Sequence, residues 1–244
     1  MFNIFSDSAT RNILEKIEKN IKKLEEICDF CLGLTPYDKY KGQTQEQINN
    51  KVFHATYKKS VTFKKLLSGA DIVRYGIFWN GKEWINYGPW LGAPREQRFF
   101  TQPRILVRQI ISGKPLRIFA SFTDDELYNT QIAFNILIKN NKEFDEKFIL
   151  AIFNSKLMNF YHSQKFLDKS KNLFQKILII NAKQFPVKVI IKEKQHPFIK
   201  LAQKMLDLNK QLQKFGDKIT DERKRMESEI QKTDKEIDNI VYKL

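Results

Sequence analysis

The sequence predicts an α+β fold in which a twisted, mainly antiparallel sheet has flanking helices and is followed by a C-terminal helical hairpin. Short apolar alternations bounded by Gly, Pro and Asn occupy the middle of the chain, as in strands. Apolar residues spaced by three and four occupy both ends, as in amphipathic helices. A hydrophobic fraction of 42% with twenty phenylalanines can form a packed core, which excludes a largely disordered chain.

The N-terminal part predicts a helix, a short strand and a second helix. The apolar spacing indicates a helix over Ser8–Glu26, with Ser8 as its cap. A short strand over Ile27–Leu34 follows and ends in a turn at Thr35–Asp38. The next helix begins at Thr44, because Gln47 stands three residues later as in a capping box.

The middle of the chain predicts the sheet. Val73, Tyr75, Ile77 and Trp79 alternate within a strand over Asp71–Trp79, and the Asn80-Gly81 pair after it is typical of a tight hairpin turn. The residues from Gly88 to Pro94 form a loop. The remaining predicted strands are the one returning through Trp84, Ile85 and Tyr87, and Ile105–Ile111, Leu116–Phe122, Ile132–Ile138 and Ile177–Ile180.

The C-terminal part predicts helices. Apolar spacing indicates a helix over Asp145–Phe160. From Phe198 to Ile219, apolar residues recur at alternating steps of three and four, with Pro197 as the first helical residue. Thr220 caps a second helix, which gives a hairpin. Its apolar seam fits either packing within the chain or a dimer through 198–244. The predicted division is a connector helix (1–26), a central domain (27–196) and the hairpin (197–244).

Charge points to a polyanionic partner. The formal net charge is +15 and the pI is near 9.6, which suits DNA, RNA or an anionic membrane. No apolar run approaches the roughly 20 residues needed to cross a bilayer, and no signal peptide is seen. We therefore expect a cytoplasmic protein without a membrane partner.

The arginines are concentrated in one block. All three tryptophans and six of the nine arginines lie between Gly69 and Ser121. Arginine can bond two acceptors of one base at once, whereas lysine suits phosphate as a point charge. This block therefore favours a surface that reads nucleic acid. Trp79 and Trp84 also fit cross-strand packing, whereas Trp90 lies in the Gly88–Pro94 loop.

Catalytic patterns are missing from the sequence. It has no glycine-rich phosphate loop and no nucleophile elbow. Cys28 and Cys31 form a lone C-x-x-C without further zinc ligands at suitable spacing, so two small buried side chains are expected. The Asp145-Glu146-Lys147 string resembles part of a nuclease motif, but carboxylates there also fit a helix start.

Several strings, in order, resemble one family, the TaqI-like C-terminal specificity domain. This is the target recognition domain that follows the adenine methyltransferase domain in Eco57I-type (type IIG) restriction–modification enzymes. The resemblance covers roughly residues 20–244. The strings are Leu24–Tyr37, Ser68–Tyr75 (S-G-A-D-I-V-R-Y), Pro103–Gln109 (P-R-I-L-V-R-Q), Leu150–Leu157 (L-A-I-F-N-S-K-L) and Lys235–Leu244.

The resemblance implies a fragment that recognises double-stranded DNA for a methyltransferase domain outside this chain. The catalytic [DNS]-P-P-[YFW] motif and the S-adenosylmethionine loop are missing, and Thr35-Pro36-Tyr37 does not replace the former. This chain is thus expected to have no catalytic residue, metal or cofactor of its own. S-adenosylmethionine would belong to a covalently linked methyltransferase domain, and Mg²⁺ to the parent protein if it also cleaves DNA.

Eleven residues are predicted to contact DNA. Lys82, Trp90, Arg95 and Arg98 lie on the predicted turn and loop and are assigned to base edges. Arg74, Arg104 and Arg108 lie on or beside strands and are assigned phosphate or structural roles. Lys165, Lys169, Lys171 and Lys176 are assigned to the phosphate backbone.

Two other interpretations stay open from the sequence. One is half of a type I restriction specificity subunit, in which the C-terminal helix spaces two recognition domains. The other is a coiled-coil scaffold that binds nucleic acid nonspecifically. An RNA-binding role would lack the usual aromatic RNA-binding strand.

Overall fold

The computed structural model describes residues 8–167, 175–216 and 218–244. The helices are α1 (Ser8–Ile17), α2 (Leu24–Ile27), α3 (Gln45–Asn49), α4 (Arg98–Thr101), α5 (Glu146–Asn154), α6 (Lys156–Lys165), α7 (Ile179–Ala182), α8 (Lys192–Gln213) and α9 (Asp221–Val241). The strands are β1 (Ile21–Lys23), β2 (Cys28–Cys31), β3 (His54–Ala55), β4 (Phe63–Leu67), β5 (Ile72–Val73), β6 (Gly76–Ile77), β7 (Trp84–Asn86), β8 (Arg104–Ser112), β9 (Arg117–Thr123), β10 (Tyr128–Asn129), β11 (Ala133–Ile138) and β12 (Pro186–Lys188).

Two four-stranded sheets form the centre of the molecule. Sheet I has the order β2-β11-β8-β9, and every pairing in it is antiparallel. Sheet II has the order β10-β4-β7-β3, in which only β10 and β4 run parallel. Strands β1 and β12 form a small antiparallel pair, as do β5 and β6. The prediction of an α+β fold with a mainly antiparallel sheet is confirmed.

Sheet I is buried on both faces. On one face Val107 and Ala120 pack against Phe148 and other apolar residues of α5 in the largest core cluster. On the other face Leu106 packs against Leu67 and neighbouring apolar residues. Because both faces are covered, sheet I can hold sheet II and the helices in a fixed relation to each other.

The two long C-terminal helices form a hairpin that packs on the domain. Phe198 of α8 stacks edge-to-face on Phe148 of α5, with centroids 5.2 Å apart, and Met205 is buried. Ile237 and Val241 bury α9 against the same core. These residues of the apolar seam are therefore used within the chain. No helix of the described residues combines the length and apolarity needed to cross a bilayer.

Several predicted elements have different bounds. The helix expected over Ser8–Glu26 ends at Ile17, because the following residues pair as β1 with β12. The helix expected over Asp145–Phe160 is two helices, separated where Ser155 caps α6 by accepting from Met158 N. Helix α8 begins at Lys192, so Pro197 lies inside it and is not its first residue.

The region around Tyr75 differs most from the prediction. The residues from Asp71 to Trp79 do not form one strand, because Tyr75 has a φ of 56° and the chain turns back between β5 and β6. Asn80-Gly81 does not join two paired strands, since β7 pairs with β3 and β4 instead. Residues 177–180 were expected to form a strand, but Ile179 begins the short helix α7.

The capping box and the cysteines agree with prediction. Thr44 accepts from Gln47 N, and the Gln47 side chain accepts from Thr44 N. Cys28 and Cys31 are free and buried in sheet I. Burial raises the pKa of the Cys28 thiol to about 12, so it stays protonated near neutral pH.

Candidate nucleic-acid interface

A basic cleft opens where sheet I meets sheet II, and we call it the inter-sheet cleft. Its volume is about 770 Å³. Its lining comes from six separate stretches of chain that only the fold brings together. The lining residues are Leu34, Thr35, Pro36, Tyr37, Lys51, His54, Gly69, Arg108, Gln109, Ile110, Thr130, Gln131, Ile132 and Lys176.

A glycine allows the two sheets to meet at this cleft. After β2 the chain leaves sheet I at Gly33, which has a φ of 82°, and Leu34 then bridges Thr130 beside β10. A Cβ on Gly33 would lie 2.4 Å from the carbonyl oxygen of Thr130. Only glycine fits both this left-handed backbone and the close approach of the second chain segment.

Three cations line the cleft, and no Asp or Glu of the described residues does. Lys51 follows α3 with a left-handed φ of 47°. Arg108 comes from β8, and Lys176 belongs to a segment that bridges Ile110 at the edge of sheet I. Positive charges gathered without carboxylates attract polyanions.

Arg108 is held rigidly in the cleft wall. Its Nε donates to Ile110 O at 2.9 Å, and its Nη2 donates to Ser112 Oγ at 2.8 Å. The guanidinium carbon lies 3.9 Å from the centroid of the Phe119 ring, a cation–π contact. Partial burial lowers the pKa of Arg108, but arginine stays protonated at neutral pH. The side chain therefore presents a fixed positive charge.

An aromatic pair forms the opposite wall. Tyr37 Oη lies 2.8 Å from His54 Nδ1 and accepts from Phe53 N at 3.0 Å. Burial lowers the pKa of His54, with Lys51 adding to this effect, and burial raises the pKa of Tyr37. Both groups are therefore neutral at pH 7. Their flat rings give the basic cleft an apolar and polarisable wall.

Two glutamines supply uncharged polar groups. Gln131 Nε2 donates to Thr35 Oγ1 at 3.1 Å across the cleft. Gln109 makes backbone hydrogen bonds on both sides, from its N to Ile132 O and from Ile177 N to its O, each at 2.9 Å. Its side-chain amide has no hydrogen-bond partner within the described part of the chain.

The structure places the loop residues assigned to base edges outside the inter-sheet cleft. Arg95 is exposed, with a φ of 62°, and its Nε donates to Gly33 O at 3.1 Å. Arg98 forms ion pairs with Asp29 and Glu96, each at 2.8 Å, which raise its pKa. Lys82 is exposed in the loop before β7.

Trp90 is 41% exposed and lies over Gly88. Its Nε1 donates to Asn86 O at 2.9 Å, which fixes the indole within its own loop. Trp79 and Trp84 contact edge-to-face with centroids 5.0 Å apart. The packing interpretation of these two tryptophans therefore agrees with the structure.

Two arginines of the predicted DNA-binding set have structural roles. Arg74 donates from both terminal nitrogens to Asp234, at 2.6 and 3.1 Å, and to Asn154 O at 2.9 Å, which joins the β5–β6 turn to α9. Arg104 is fully buried. Of the two roles expected for these arginines, phosphate contact or structure, their hydrogen bonds within the domain favour the structural one.

The two terminal nitrogens of Arg104 donate to carbonyl groups rather than to a carboxylate, and its buried Nε has no partner among the described residues. Its Nη1 donates to Gln102 O and Asp125 O, each at 3.0 Å, and its Nη2 donates to Leu127 O at 2.8 Å. Burial lowers its pKa to about 10, which still leaves it charged at pH 7. It holds the segment that connects β9 to β10.

The lysines assigned to the phosphate backbone are separated. Lys176 lines the inter-sheet cleft. Lys165 instead forms an ion pair with Glu18 at 2.8 Å and lies over the Tyr161 ring on the α6 side. Lys169 and Lys171 lie outside the described residues. Lys176 and Arg108 are thus the two predicted residues that the fold brings together.

Sequence reasoning did not find Tyr37, Lys51, His54, Gln109 or Gln131 as site residues. Tyr37 belonged to a predicted turn, and Gln109 lay within the predicted strand Ile105–Ile111 and at the end of the Pro103–Gln109 string. Lys51 and His54 carry no local pattern that separates them from other polar surface residues.

Fold and cleft together describe an α+β domain with a basic cleft of a kind that suits a polyanion. Residues 64–187 match the family model of the TaqI-like C-terminal specificity domain. The chain therefore belongs to this family of DNA-recognition domains of restriction–modification systems, and recognition of DNA is its function.

One solved structure of a restriction–modification enzyme shares the fold, and two further structures show a weaker likeness. The type IIL restriction–modification enzyme MmeI, solved in complex with DNA, has 11% sequence identity and a TM-score of 0.51, with 90% of this chain and 33% of that chain covered. The HsdS subunit from Thermoanaerobacter tengcongensis has 11% identity and a TM-score of 0.46, with 93% and 49% covered. A type I S subunit from M. genitalium has 13% identity and a TM-score of 0.42, with 80% and 40% covered.

This chain thus spans about half or less of the length of each of these proteins. No curated protein matches it. The described residues contain no group of three or more His, Cys, Asp or Glu side chains that could hold a metal ion. In restriction–modification systems, specificity domains of this family are non-catalytic parts.

Proposed function

We propose that this chain recognises a short double-stranded DNA sequence through the inter-sheet cleft. The observation that carries the proposal is the set of three cations, Lys51, Arg108 and Lys176, in a cleft whose described lining contains no carboxylate. In a chain of net charge +15, this arrangement lets a phosphate backbone approach without repulsion from Asp or Glu.

Phosphate contacts and base contacts would be divided within the cleft. Lys51 and Lys176 are flexible point charges and Arg108 is a fixed fork on the wall, and all three suit phosphate. Phosphate contacts set the register of the protein on DNA, and uncharged polar groups beside them read base edges. Exposed Arg95, at the junction of the two sheets, is a further candidate for base contact.

We further propose that the recognised sequence contains an adenine, which this domain presents to a covalently linked adenine methyltransferase domain of a longer parent protein. The family membership of residues 64–187 and the resemblances named above support this assignment. S-adenosylmethionine would then bind in the parent's methyltransferase domain, and Mg²⁺ would serve the parent if it also cleaves DNA.

The direct test is selection from a random-sequence duplex pool at about 0.15 M salt, where nonspecific phosphate binding is already weakened. We expect the purified chain to enrich a short motif that contains an adenine. Retention without any enriched motif, vanishing as salt rises, would contradict sequence recognition and leave nonspecific binding.

A matched pair of variants assigns the binding to the cleft. Lys51→Ala should weaken binding to the enriched duplex by several-fold, with the motif unchanged, because a phosphate contact carries no sequence information. Lys235→Ala removes an exposed lysine from α9, far from the lining residues in sequence and on another element, and should leave the affinity unchanged. Equal loss in both variants would favour a general effect of net charge.

A further inference from the structure

Of the two glutamines in the described lining of the inter-sheet cleft, Gln109 is the one whose amide has no hydrogen-bond partner among the described residues. Tyr37 Oη is engaged by His54 and Phe53, and Gln131 is engaged by Thr35. Two of the three guanidinium nitrogens of Arg108 donate to neighbouring groups. The amide of Gln109 has no such partner among the described residues.

Hydrogen bonds on both sides fix the backbone of Gln109 within β8. Its N donates to Ile132 O and its O accepts from Ile177 N, both at 2.9 Å, so the residue is held between β11 and the segment that contains Lys176. The next residue, Ile110, bridges Lys176. The fixed backbone defines where the side chain begins, so binding has to order only its own rotamers.

The chemistry of the amide selects a ligand. Its carbonyl accepts and its NH₂ donates, a pattern that matches the N6 amino group and N7 of adenine in the major groove. Lys51, Arg108 and Lys176 around it can hold the flanking phosphates. No Asp or Glu of the described residues lines the cleft to compete for the amide or to repel the duplex.

We infer that Gln109 is a specificity-determining residue that reads one adenine in the recognised sequence from the major-groove edge. This inference rests on the proposed function, since it requires that the cleft faces DNA. It assigns the reading of one base pair to one side chain, whereas the loop arginines outside the cleft would read other positions.

The test compares duplex-pool selections by the full chain with three variants. Gln109→Leu keeps the size of the side chain and removes its polar groups. We expect the preference for adenine at one position of the motif to fall by about 5- to 150-fold, with the other positions unchanged. Gln102→Leu, an exposed glutamine after α4, is the control and should leave every position of the motif unchanged.

Gln109→Glu gives an independent readout. A carboxylate only accepts, so the preferred base at that same position should change from adenine toward cytosine, whose N4 amino group donates. Thermal unfolding of each variant would show that the fold is retained. If Gln109→Leu fails to fold, the base change in Gln109→Glu still tests the inference.

The outcomes separate this inference from the proposed function. A motif that stays the same in both folded Gln109 variants would overturn the role of Gln109 and leave recognition through the cleft in place. If the unmodified chain enriches no motif, the proposed function fails and this inference fails with it. A motif without a position sensitive to Gln109→Glu would likewise overturn the inference.

Discussion

Individual buried residues show how this chain uses charge for structure as well as for binding. The position of Arg104 and Arg74 on or beside strands fits either a phosphate contact or a structural role, and in the fold both guanidiniums bond to groups of the protein itself. The sequence places an arginine on a strand but does not reveal which carbonyls or carboxylates the fold will bring to it. Burial and partners decide between a binding role and a structural role.

We predict that Arg104→Ala is severely destabilising. The change leaves the carbonyls of Gln102, Asp125 and Leu127 without their donor and opens a cavity beneath β10. We expect a loss of about 3–5 kcal/mol in the free energy of unfolding, measured by urea denaturation. Arg225→Ala, on the exposed side of α9, should change it by less than about 0.5 kcal/mol. Similar values for both would mean that Arg104 does not hold the segment that connects β9 to β10.

We predict that His162 makes the fold sensitive to acid. The imidazole is 1% exposed among the rings of Phe166 and Phe185, and its Nε2 has no partner in the described structure. Burial lowers its pKa from 6.5 to about 4. As pH falls from about 6.5 to 4, the unfolded chain takes up a proton that the folded chain does not, so stability is lost.

The predicted contribution of His162 to this loss is about 3 kcal/mol at pH 4, because its pKa falls from 6.5 to about 4 on folding. His162→Leu should therefore lose less stability than the unmodified chain between pH 6.5 and 4.5. Urea denaturation across this range measures the difference. Parallel pH curves for the two proteins would show that His162 does not titrate as described.

At the scale of elements, the sequence pattern predicted those helices and strands that form through interactions between neighbouring residues. Strands β8 and β9 are segments rich in consecutive apolar residues, as the sequence predicts, and the Thr44 capping box begins α3. The Asp71–Trp79 segment alternates with a period of two as a strand would, but Tyr75 adopts a left-handed backbone and its N donates to Ala120 O in sheet I. A tertiary hydrogen bond therefore overrides the local period of two.

The hairpin α8–α9 depends on an ion pair that links distant elements. Arg74 in the β5–β6 turn and Asp234 in α9 are largely buried, and Arg117 adds a contact to Asp234 at 3.3 Å. We predict that Asp234→Ala destabilises the fold by about 3 kcal/mol, because it leaves a buried guanidinium unpaired. The double change Arg74→Met and Asp234→Leu should recover most of this loss in urea denaturation. No recovery would mean that the pair itself, rather than the unpaired charge, determines stability.

The junction of the sheets gives a second prediction at this scale. Gly33→Ala places a Cβ against Thr130 O, whereas Gly42→Ala has the same left-handed strain and nothing within 4 Å. We expect Gly42→Ala to lower the free energy of unfolding by about 1–2 kcal/mol, and Gly33→Ala to lower it by more. Only Gly33→Ala should also weaken DNA binding, because it separates the walls of the inter-sheet cleft. Equal DNA affinity in the two variants would contradict the role of this junction.

At the scale of the whole molecule, the fold was easier to predict than the site. The family resemblance and the helical and strand patterns gave the class of fold and DNA as the partner. The cleft was not predictable, because its lining joins residues near 35, 52, 69, 109, 131 and 176 through the contact of two sheets. Lys51 and His54 become significant only when β3 joins sheet II beside that contact.

The central claim is that the inter-sheet cleft holds DNA, and the salt dependence of binding tests it most directly. The logarithm of the binding constant falls with the logarithm of salt concentration by about 0.9 for each phosphate contact. Replacing Lys51, Arg108 and Lys176 together by alanine should reduce this slope by about 2.7, whereas Lys235→Ala should leave it unchanged. An unchanged slope in the folded triple variant would contradict the account, because the phosphates would then be bound elsewhere on the molecule.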